Sequence, residues 1–422
     1  MKSFLKKLVL AMLSFMARVR LKRLNPFVIG VTGSVGKTSA KEAIYTILSA
    51  RYNVYRSNKN YNTEFGMPLA ILEQKSGFSS PFKWIKVMLG AFWKTFFARG
   101  KIRILILEMG TDKPGDMTDL LKIVTPQVGV MTSIKPVHLD KGQFKDMDDI
   151  FNEKKKLVEA LPEKAFAVLN ADDPFINSLR GKLTCKTIFY GFAEWADLRA
   201  LDVKNTSEGL AFTVVYKDQV AIGRARVLGI FHIHVLLAAI AVALTQGFTL
   251  QDAVAALAKF KLPPGRMNPI AGINESLIID SSYNASPESV KVALDTLKDF
   301  SGRRIAVLGN MNELGEYSEQ LHRAVGKYAR GRADLLITIG ENAKWIADEA
   351  ISNGFPQKDV LSFLDAAAAA DVLKKKILKG DVLLIKGSQN NARLEKLVKA
   401  LMKEPWQAAR LLARQEREWE KR

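Results

Sequence analysis

The 422-residue sequence contains a single cysteine, Cys185, which excludes an internal disulfide and any cysteine zinc cluster and fits a reducing cytoplasm. Histidine is nearly as scarce, with four residues. Long apolar runs are missing: the most apolar N-terminal stretch, Leu8 to Ala17, covers ten residues where a membrane span needs about 20. No small-x-small cleavage site follows it, only Arg18, Arg20, Lys22 and Arg23, which argues for an interfacial amphipathic helix over a signal peptide. Acidic residues are absent from two segments, 1–24 and 82–103, which together hold 13 Lys and Arg of a chain whose formal net charge is +20. Such placement suggests an anionic partner, either a membrane face or a polyanion. Internal repeats and low-complexity tracts are absent too.

From Phe27 onward, short β-rich apolar runs alternate with helix-length segments, the pattern of parallel βα units. Strands are expected at 27–31, 102–108, 128–132, 166–169, 277–280, 304–308, 335–339 and 381–385. Helices are expected at 38–50, 148–161, 236–246, 287–299, 318–329, 342–352, 366–378 and 392–402, with a shorter β-rich passage over 186–228. A chain of this length exceeds one core, and Pro263-Pro264-Gly265 is the best candidate boundary. The expected class is α/β: a nucleotide-binding domain over 26–262 with a mostly parallel sheet, a C-terminal Rossmann-like α/β domain over 263–402, a cationic helix over 1–25 and a charged helical tail over 403–422.

Residues 30–38, Gly-Val-Thr-Gly-Ser-Val-Gly-Lys-Thr, lie between an expected strand and an expected helix, the context of a phosphate-binding loop. Gly33, Ser34 and Gly36 would turn backbone N–H groups onto phosphate oxygens, the helix would add its positive end, Lys37 a point charge, and the Thr38 hydroxyl a ligand for Mg²⁺. Val31 occupies the place where the strict spacing puts its first glycine, so this is a variant loop. Glu108 ends the apolar run Ile104-Leu-Ile-Leu107, where a carboxylate at the carboxyl end of a parallel strand can meet a hard cation. A solvated strand-end acid is the plainer alternative. His138, in a loop after a strand, is a candidate metal or phosphate contact or a structural histidine. The amide-rich run containing Asn60 and Asn62 reads equally well as a surface turn. Lys154, among Glu153, Lys155 and Lys156, reads by itself as part of a solvated charged face.

Taken together these residues resemble the Mur ligase family, and within it the MurF type. The resemblance runs over about residues 26–402. It rests on Thr32-Gly-Ser-Val-Gly-Lys-Thr38, Asn60-x-Asn62 with Gly66 and Pro68, Glu108-Met-Gly110, His138-Leu-Asp140, Lys154, Asn170-Ala-Asp-Asp173 and Pro264-Gly-Arg266. Tyr283-Asn-Ala-Ser-Pro287, Leu308-Gly-Asn-Met-Asn-Glu-Leu-Gly315 with His322, and Lys386-Gly-Ser388 complete it in family order. The resemblance implies an ATP-dependent ligase that makes an acyl phosphate and then an amide, joining D-alanyl-D-alanine to a UDP-linked muramoyl peptide. It implies ATP and Mg²⁺ as cofactors, with Thr38 and Glu108 on one ion and His138 and a carbamylated Lys154 on a second. Lys37, Lys154 and His138 would be the catalytic set. Arg266 and Asn284 would contact the nucleotide, with closure of the two domains completing the site, and Asn60, Asn62, Lys386 and Ser388 the substrates.

Several positions depart from the family pattern. Gly229-Ile-Phe231-His232-Ile-His234-Val235 replaces the usual Gly-x-His-Asn-x-x-Asn helix start, Ser281 and Asn310 replace aspartates, and Gln389 replaces a frequent arginine. Only 26 residues precede the first expected strand, where the family carries a separate domain gripping the UDP-sugar; a short form is therefore expected. The alternatives left open are a sibling ligase acting on another amine and acceptor, and an ATP-binding membrane scaffold without turnover. Aromatics interleave with lysines between Phe82 and Phe97, at spacings that place many of them on one helical face. This segment either packs on the central domain or docks, with residues 1–24, on an anionic membrane, giving a cytoplasmic enzyme held peripherally at the inner face. Nucleic acid is disfavoured, because no nucleic-acid fold pattern accompanies it.

Overall fold

The structure, a computed structural model, describes residues 2–56, 61–77, 80–98, 100, 102–137, 142–206, 209–389 and 393–415. Asn60 and His138 lie outside the described residues. The chain divides into two compact units, one of Met1–Val203, Ala211–Ala225 and Ile233–Phe260, the other of Lys204–Leu210, Arg226–His232 and Lys261–Arg422.

The first unit begins with α1 (Lys2–Leu24), β1 (Phe27–Thr32), α2 (Lys37–Leu48), β2 (Val54–Arg56), α3 (Gly66–Ile71), α4 (Pro81–Phe96), β3 (Ile104–Glu108) and α5 (Asp116–Leu121). It continues through β4 (Val128–Met131), α6 (Met147–Glu159), β5 (Phe166–Asn170), α7 (Pro174–Asn177), β6 (Lys186–Gly191), β7 (Leu198–Thr206), β8 (Gly209–Tyr216), β9 (Gln219–Ala225), α8 (Ile233–Thr245) and α9 (Leu250–Ala256). The sheet order is β2-β3-β1-β4-β5-β6-β7-β8-β9. β1 pairs in parallel with both β3 and β4, in a register that sets Val31 beside Glu108 and Thr32 beside Met131. Helices cover both faces of these strands, so β1, β3 and β4 read as unbroken apolar runs rather than as alternating ones. Their common polarity gathers Thr32, Glu108, Thr132 and Asn170 at the carboxyl end of the sheet, where open α/β sheets bind ligands.

The second unit holds β10 (Asn268–Ala271), β11 (Leu277–Ser281), α10 (Pro287–Lys298), β12 (Arg304–Gly309), α11 (Ser318–Ala329), β13 (Leu335–Ile339), α12 (Lys344–Ser352) and β14 (Val360–Phe363). α13 (Ala366–Lys376), β15 (Val382–Lys386), α14 (Leu394–Leu401) and α15 (Ala408–Leu411) close it. Its sheet order is β10-β11-β15-β12-β13-β14, all parallel except the β10–β11 pair. Two apolar clusters fill the two faces, one under α10, α11 and α12 and one under α13 and α14. α10 starts sharply: Ser286 accepts from the Ser289 amide, Ser289 reciprocates, and Pro287 takes the first turn, where its missing N–H costs nothing. That start anchors one end of the loop from Ser282 to Ala285.

The fold class is the α/β arrangement expected. The sequence reading did not place β2, β10 and β14, each three or four residues long, or α5. Residues 405–411 form two short helical turns, and Leu412, Ala413 and Arg414 beyond them are buried.

Candidate active site

Between β1 and α2 the chain turns on two glycines. Gly33 and Gly36 take φ of 139° and 90°, a region costly to residues with a Cβ. A Cβ on Gly33 would also stand 2.1 Å from the Thr132 hydroxyl oxygen. The loop is pinned from β4's end: Ser34 N donates to Ser133 O at 2.7 Å, and Thr132 Oγ1 donates to Val35 O at 2.6 Å. Lys37 Nζ curls back to donate to Gly33 O at 2.7 Å and Ser34 O at 3.1 Å, which holds its charge over the loop. A backbone cradle with a lysine above it and a helix N-terminus beneath suits a polyphosphate. One buried atom at its edge, Thr32 Oγ1, has no hydrogen-bond partner.

Thr38 and Glu108 meet beside this cradle, with the hydroxyl 3.1 and 3.0 Å from the two carboxylate oxygens. Glu108 is 2% exposed. Two cationic or donor groups balance it: Lys41 Nζ lies 3.7 Å from Oε2, and Asn62 Nδ2 lies 3.5 Å from Oε1. Gly110 permits the last contact, because a Cβ there would come within 2.6 Å of Asn62 Nδ2 while its N–H donates to Asn62 O. A hydroxyl and a carboxylate side by side are hard oxygen donors of the kind Mg²⁺ takes alongside phosphate oxygens. The residues present thus fit ATP and Mg²⁺. Among the described residues no cluster of three or more His, Cys, Asp and Glu could hold a metal unaided.

Lys154 sits on α6 but not on its solvated face. Ile150, Phe151, Leu157 and Val158 turn inward with it, and it is 1% exposed. Its Nζ donates to Thr111 Oγ1 at 2.7 Å and lies 5.8 Å from the Phe144 ring centre. Burial, reinforced by repulsion from Lys37, pulls its pKa down to about 7, against the opposing pull of Asp112, Glu153 and Asp116. The neutral amine is therefore well populated near neutrality. Glu153, equally buried, serves structure: it accepts from Met117 N at 2.6 Å and from Lys156 at 2.6 Å.

The Asn170-Ala-Asp-Asp173 segment braces the strand ends. Asn170 donates to Thr132 O at 2.8 Å, Asp173 accepts from Ile134 N and caps α7, and Asp172 receives Phe192 N, Ala193 N and His234 Nε2. These bonds hold Asp172 below the usual carboxylate range, against its own burial.

In the second unit, the polar residues converge on the loop after β11. Lys386 ends β15 opposite Ser281 and donates to Ser281 Oγ at 3.2 Å and Asn284 O at 2.9 Å. Burial, with repulsion from Arg266, draws its pKa down to about 7. Ser388 Oγ donates to Ala285 O and accepts from Asn312 N, both at 3.0 Å. Neighbouring Asp280 is fully buried, and burial pushes its carboxyl up to about 6 against the pull of the Ser282 amide. The Arg266 guanidinium lies 4.6 Å from the Tyr283 ring centre, and Tyr283 N donates to Gly265 O at 3.1 Å. His322, also buried, accepts from Met311 N and donates from Nδ1 to Ser318 O, which fixes the Leu308–Gly315 turn.

The structure therefore brings Gly33, Ser34, Gly36, Lys37, Thr38, Asn62 and Glu108 together, with Lys154 within electrostatic reach of Lys37, and brings Arg266, Asn284, Lys386 and Ser388 together in the second unit. Sequence reasoning missed Lys41, Thr111, Thr132 and Arg414. Lys41 was detectable, since it stands three residues after Thr38 and so on the same side of α2.

Residues 31–243 match the Mur ligase middle domain, and residues 265–389 match the Mur ligase glutamate ligase domain. The chain belongs to the Mur ligase family. Among curated relatives, the UDP-N-acetylmuramoyl-tripeptide--D-alanyl-D-alanine ligase of Bacillus subtilis is 28% identical over 400 residues, covering 94% of this chain and 80% of that protein. The Synechocystis enzyme of the same name is 31% identical over 380 residues, covering 89% and 75%. The crystal structure of MurF ligase from Thermotoga maritima in complex with ADP superimposes with a TM-score of 0.77 at 29% identity, covering 94% of this Mur ligase and 84% of that chain.

Proposed function

We propose that this Mur ligase is an ATP-dependent amide-bond ligase that adds D-alanyl-D-alanine to a UDP-muramoyl peptide during peptidoglycan precursor synthesis. The observation that carries the reading is the hydroxyl–carboxylate pair Thr38–Glu108 at the mouth of the glycine loop, with Lys37 lying over that loop. In this reading residues 26–262 form the nucleotide domain and 263–402 the C-terminal domain.

The chemistry runs in two displacements. An acceptor carboxylate oxygen attacks the γ-phosphorus of ATP, the bond to the β-phosphate oxygen breaks, and ADP leaves an acyl phosphate. The dipeptide's amine then attacks the acyl carbon, the C–N bond forms, inorganic phosphate departs and the amine loses a proton. Both steps demand positioning and neutralisation of oxygen charge more than covalent help. The Gly33, Ser34 and Gly36 backbone would hold the phosphates, and Lys37 would swing from its loop carbonyls onto them. Thr38 and Glu108 would hold one Mg²⁺, while Lys154 and His138 would hold the other. Bound there, Mg²⁺ supplies positive charge to the phosphate oxygens. A lysine can serve only after its neutral amine has added CO₂, forming one N–C bond and releasing one proton to give a carbamate. The buried, easily deprotonated Lys154 suits that addition. Arg266 and Asn284 keep a proposed nucleotide role, and Asn60, Asn62, Lys386 and Ser388 a proposed substrate role.

The partners in this reading are the cell-wall precursor and the dipeptide. An anionic membrane surface at residues 1–24 and 82–103 would add a peripheral position at the inner face of the membrane. Phosphate release from ATP in the presence of UDP-muramoyl tripeptide and D-Ala-D-Ala tests the ligase. Release that requires both substrates is expected; ATP binding with no substrate-dependent release would point to the scaffold instead.

A further inference from the structure

α4 is apolar on two faces, although a helix on a globular surface needs only one. The inner face buries Val87, Ala91 and Thr95, with Trp84 and Met88 half-covered, against the cluster that α1 and α3 share. The outer face carries Phe82, Ile85, Leu89, Phe92, Trp93 and Phe96, at spacings of three and four, with exposures from 39% at Phe96 to 81% at Phe82. The aromatic rings pack on one another rather than on the protein: Phe92 lies 4.8 Å from Phe96, and Trp93 stacks at 5.0 Å on Phe97. α1, which packs on α4, exposes Leu8, Met12 and Phe15 to about the same degree. The two helices are tied together, because Arg20 and Arg23 donate to the last carbonyls of α4, at Lys94 and Thr95. A contiguous apolar surface of this kind marks an interaction site.

Charge decides what covers it. Lys83 and Lys86 flank the outer stripe and are exposed, Arg18 and Lys22 are exposed on α1, and no Asp or Glu occurs in 1–24 or 82–103. A second copy of the same surface would set these cations against each other. A bilayer with anionic headgroups answers both features, the apolar stripe and the cationic flank. Length agrees: 16 residues make about 24 Å of helix, short of the roughly 30 Å of a hydrocarbon core. No described helix is long and apolar enough to cross a membrane.

We propose that the outer face of α4, with the exposed side of α1, docks on an anionic lipid surface, the Phe82–Phe96 stripe entering the headgroup boundary while Lys83 and Lys86 meet lipid phosphates. The inference stands on these two helices and is independent of the chemistry at Lys37. Co-sedimentation of the full chain with phosphatidylglycerol-containing and with pure phosphatidylcholine vesicles tests it. Binding to the anionic vesicles alone is expected, weakened by salt. Leu89→Glu/Phe92→Glu and Lys83→Glu/Lys86→Glu should each lower the partition by about tenfold or more, since the first removes apolar insertion and the second reverses the charge that meets the lipid phosphates. Far-UV circular dichroism and the urea midpoint should stay unchanged in both variants, which shows that they fold. Tryptophan emission should shift to the blue on anionic vesicles in the parent and not in Trp93→Phe. Equal binding to phosphatidylcholine, or full binding by Leu89→Glu/Phe92→Glu, overturns the proposal. So does a dimer that the same variant converts to a monomer without vesicle binding, which would make a second copy the occupant.

Discussion

Replacing Glu108 by Gln removes one charge from the interior and little else. The shape is kept, and the Thr38 hydroxyl can still donate to the amide oxygen. What changes is Lys41, 1% exposed, whose ammonium lies 3.7 Å from Glu108 Oε2. At that distance the attraction is worth roughly 4 kcal/mol at an effective dielectric near 20. Glu42, 3.8 Å from the same ammonium, retains part of it, though Glu42 is itself committed to Arg56 at 2.8 Å. The expected loss is therefore about 2–3 kcal/mol, at the lower edge of what breaking a buried pair costs. Urea unfolding of the first unit reads this loss. Ligation should fall by about 100-fold or more, because a preorganised charge beside the phosphates is gone. The two effects separate in Glu108→Gln/Lys41→Met, where no buried ammonium is left uncompensated: stability should return to within about 1 kcal/mol of the parent while ligation stays down. Recovery of ligation in that double variant would refute the metal-holding role of Glu108. A Glu108→Gln protein as stable as the parent would refute the charge balance.

Gly33→Ala should weaken ADP binding by about tenfold or more in calorimetry, since it places a Cβ at positive φ against the Thr132 hydroxyl. Activity should fall as pH drops through about 7, because Lys154 then binds a proton and cannot take up CO₂; bicarbonate should restore activity in CO₂-depleted buffer above that pH and fail to do so well below it. A profile flat from pH 6 to pH 8, in steps of roughly one pKa unit, would count against the carbamate. Arg414→Ala should destabilise the second unit by about 2–4 kcal/mol, read by urea unfolding, because Arg414 donates to Ser282 O and Tyr283 O and pairs with fully buried Glu395. Arg414→Lys should recover less than half, having no planar fork to reach both carbonyls.

Much of the fold was legible because parallel strands buried on both faces announce themselves. Residues 27–31, 128–132 and 335–339 read as unbroken apolar runs, and the strands found are Phe27–Thr32, Val128–Met131 and Leu335–Ile339. β10 escaped because Pro269 interrupts it and only its antiparallel partner β11 defines it. The glycine loop was legible from Gly33, Gly36 and Lys37 set between an expected strand and an expected helix, since its geometry is local. Lys154 was not: one lysine among three charged neighbours reads as solvated until the packing of Ile150, Phe151, Leu157 and Val158 fixes the phase of α6. Arg414 was hidden for the opposite reason, because the carbonyls it holds lie 131 and 132 residues away in Tyr283 and Ser282. For α4 the spacing announced a helix with an aromatic face. Which of its two apolar faces the protein covers is a tertiary fact, and the sequence has no term for it.

The central claim is tested most directly by mass spectrometry of the products formed from ATP, a panel of UDP-muramoyl peptides, and D-Ala-D-Ala or single amino acids. The account predicts a product one D-Ala-D-Ala residue pair heavier than the tripeptide acceptor, formed with ADP and phosphate and absent with Glu108→Gln. A product carrying a different amine, or none from any member of the panel, would contradict it.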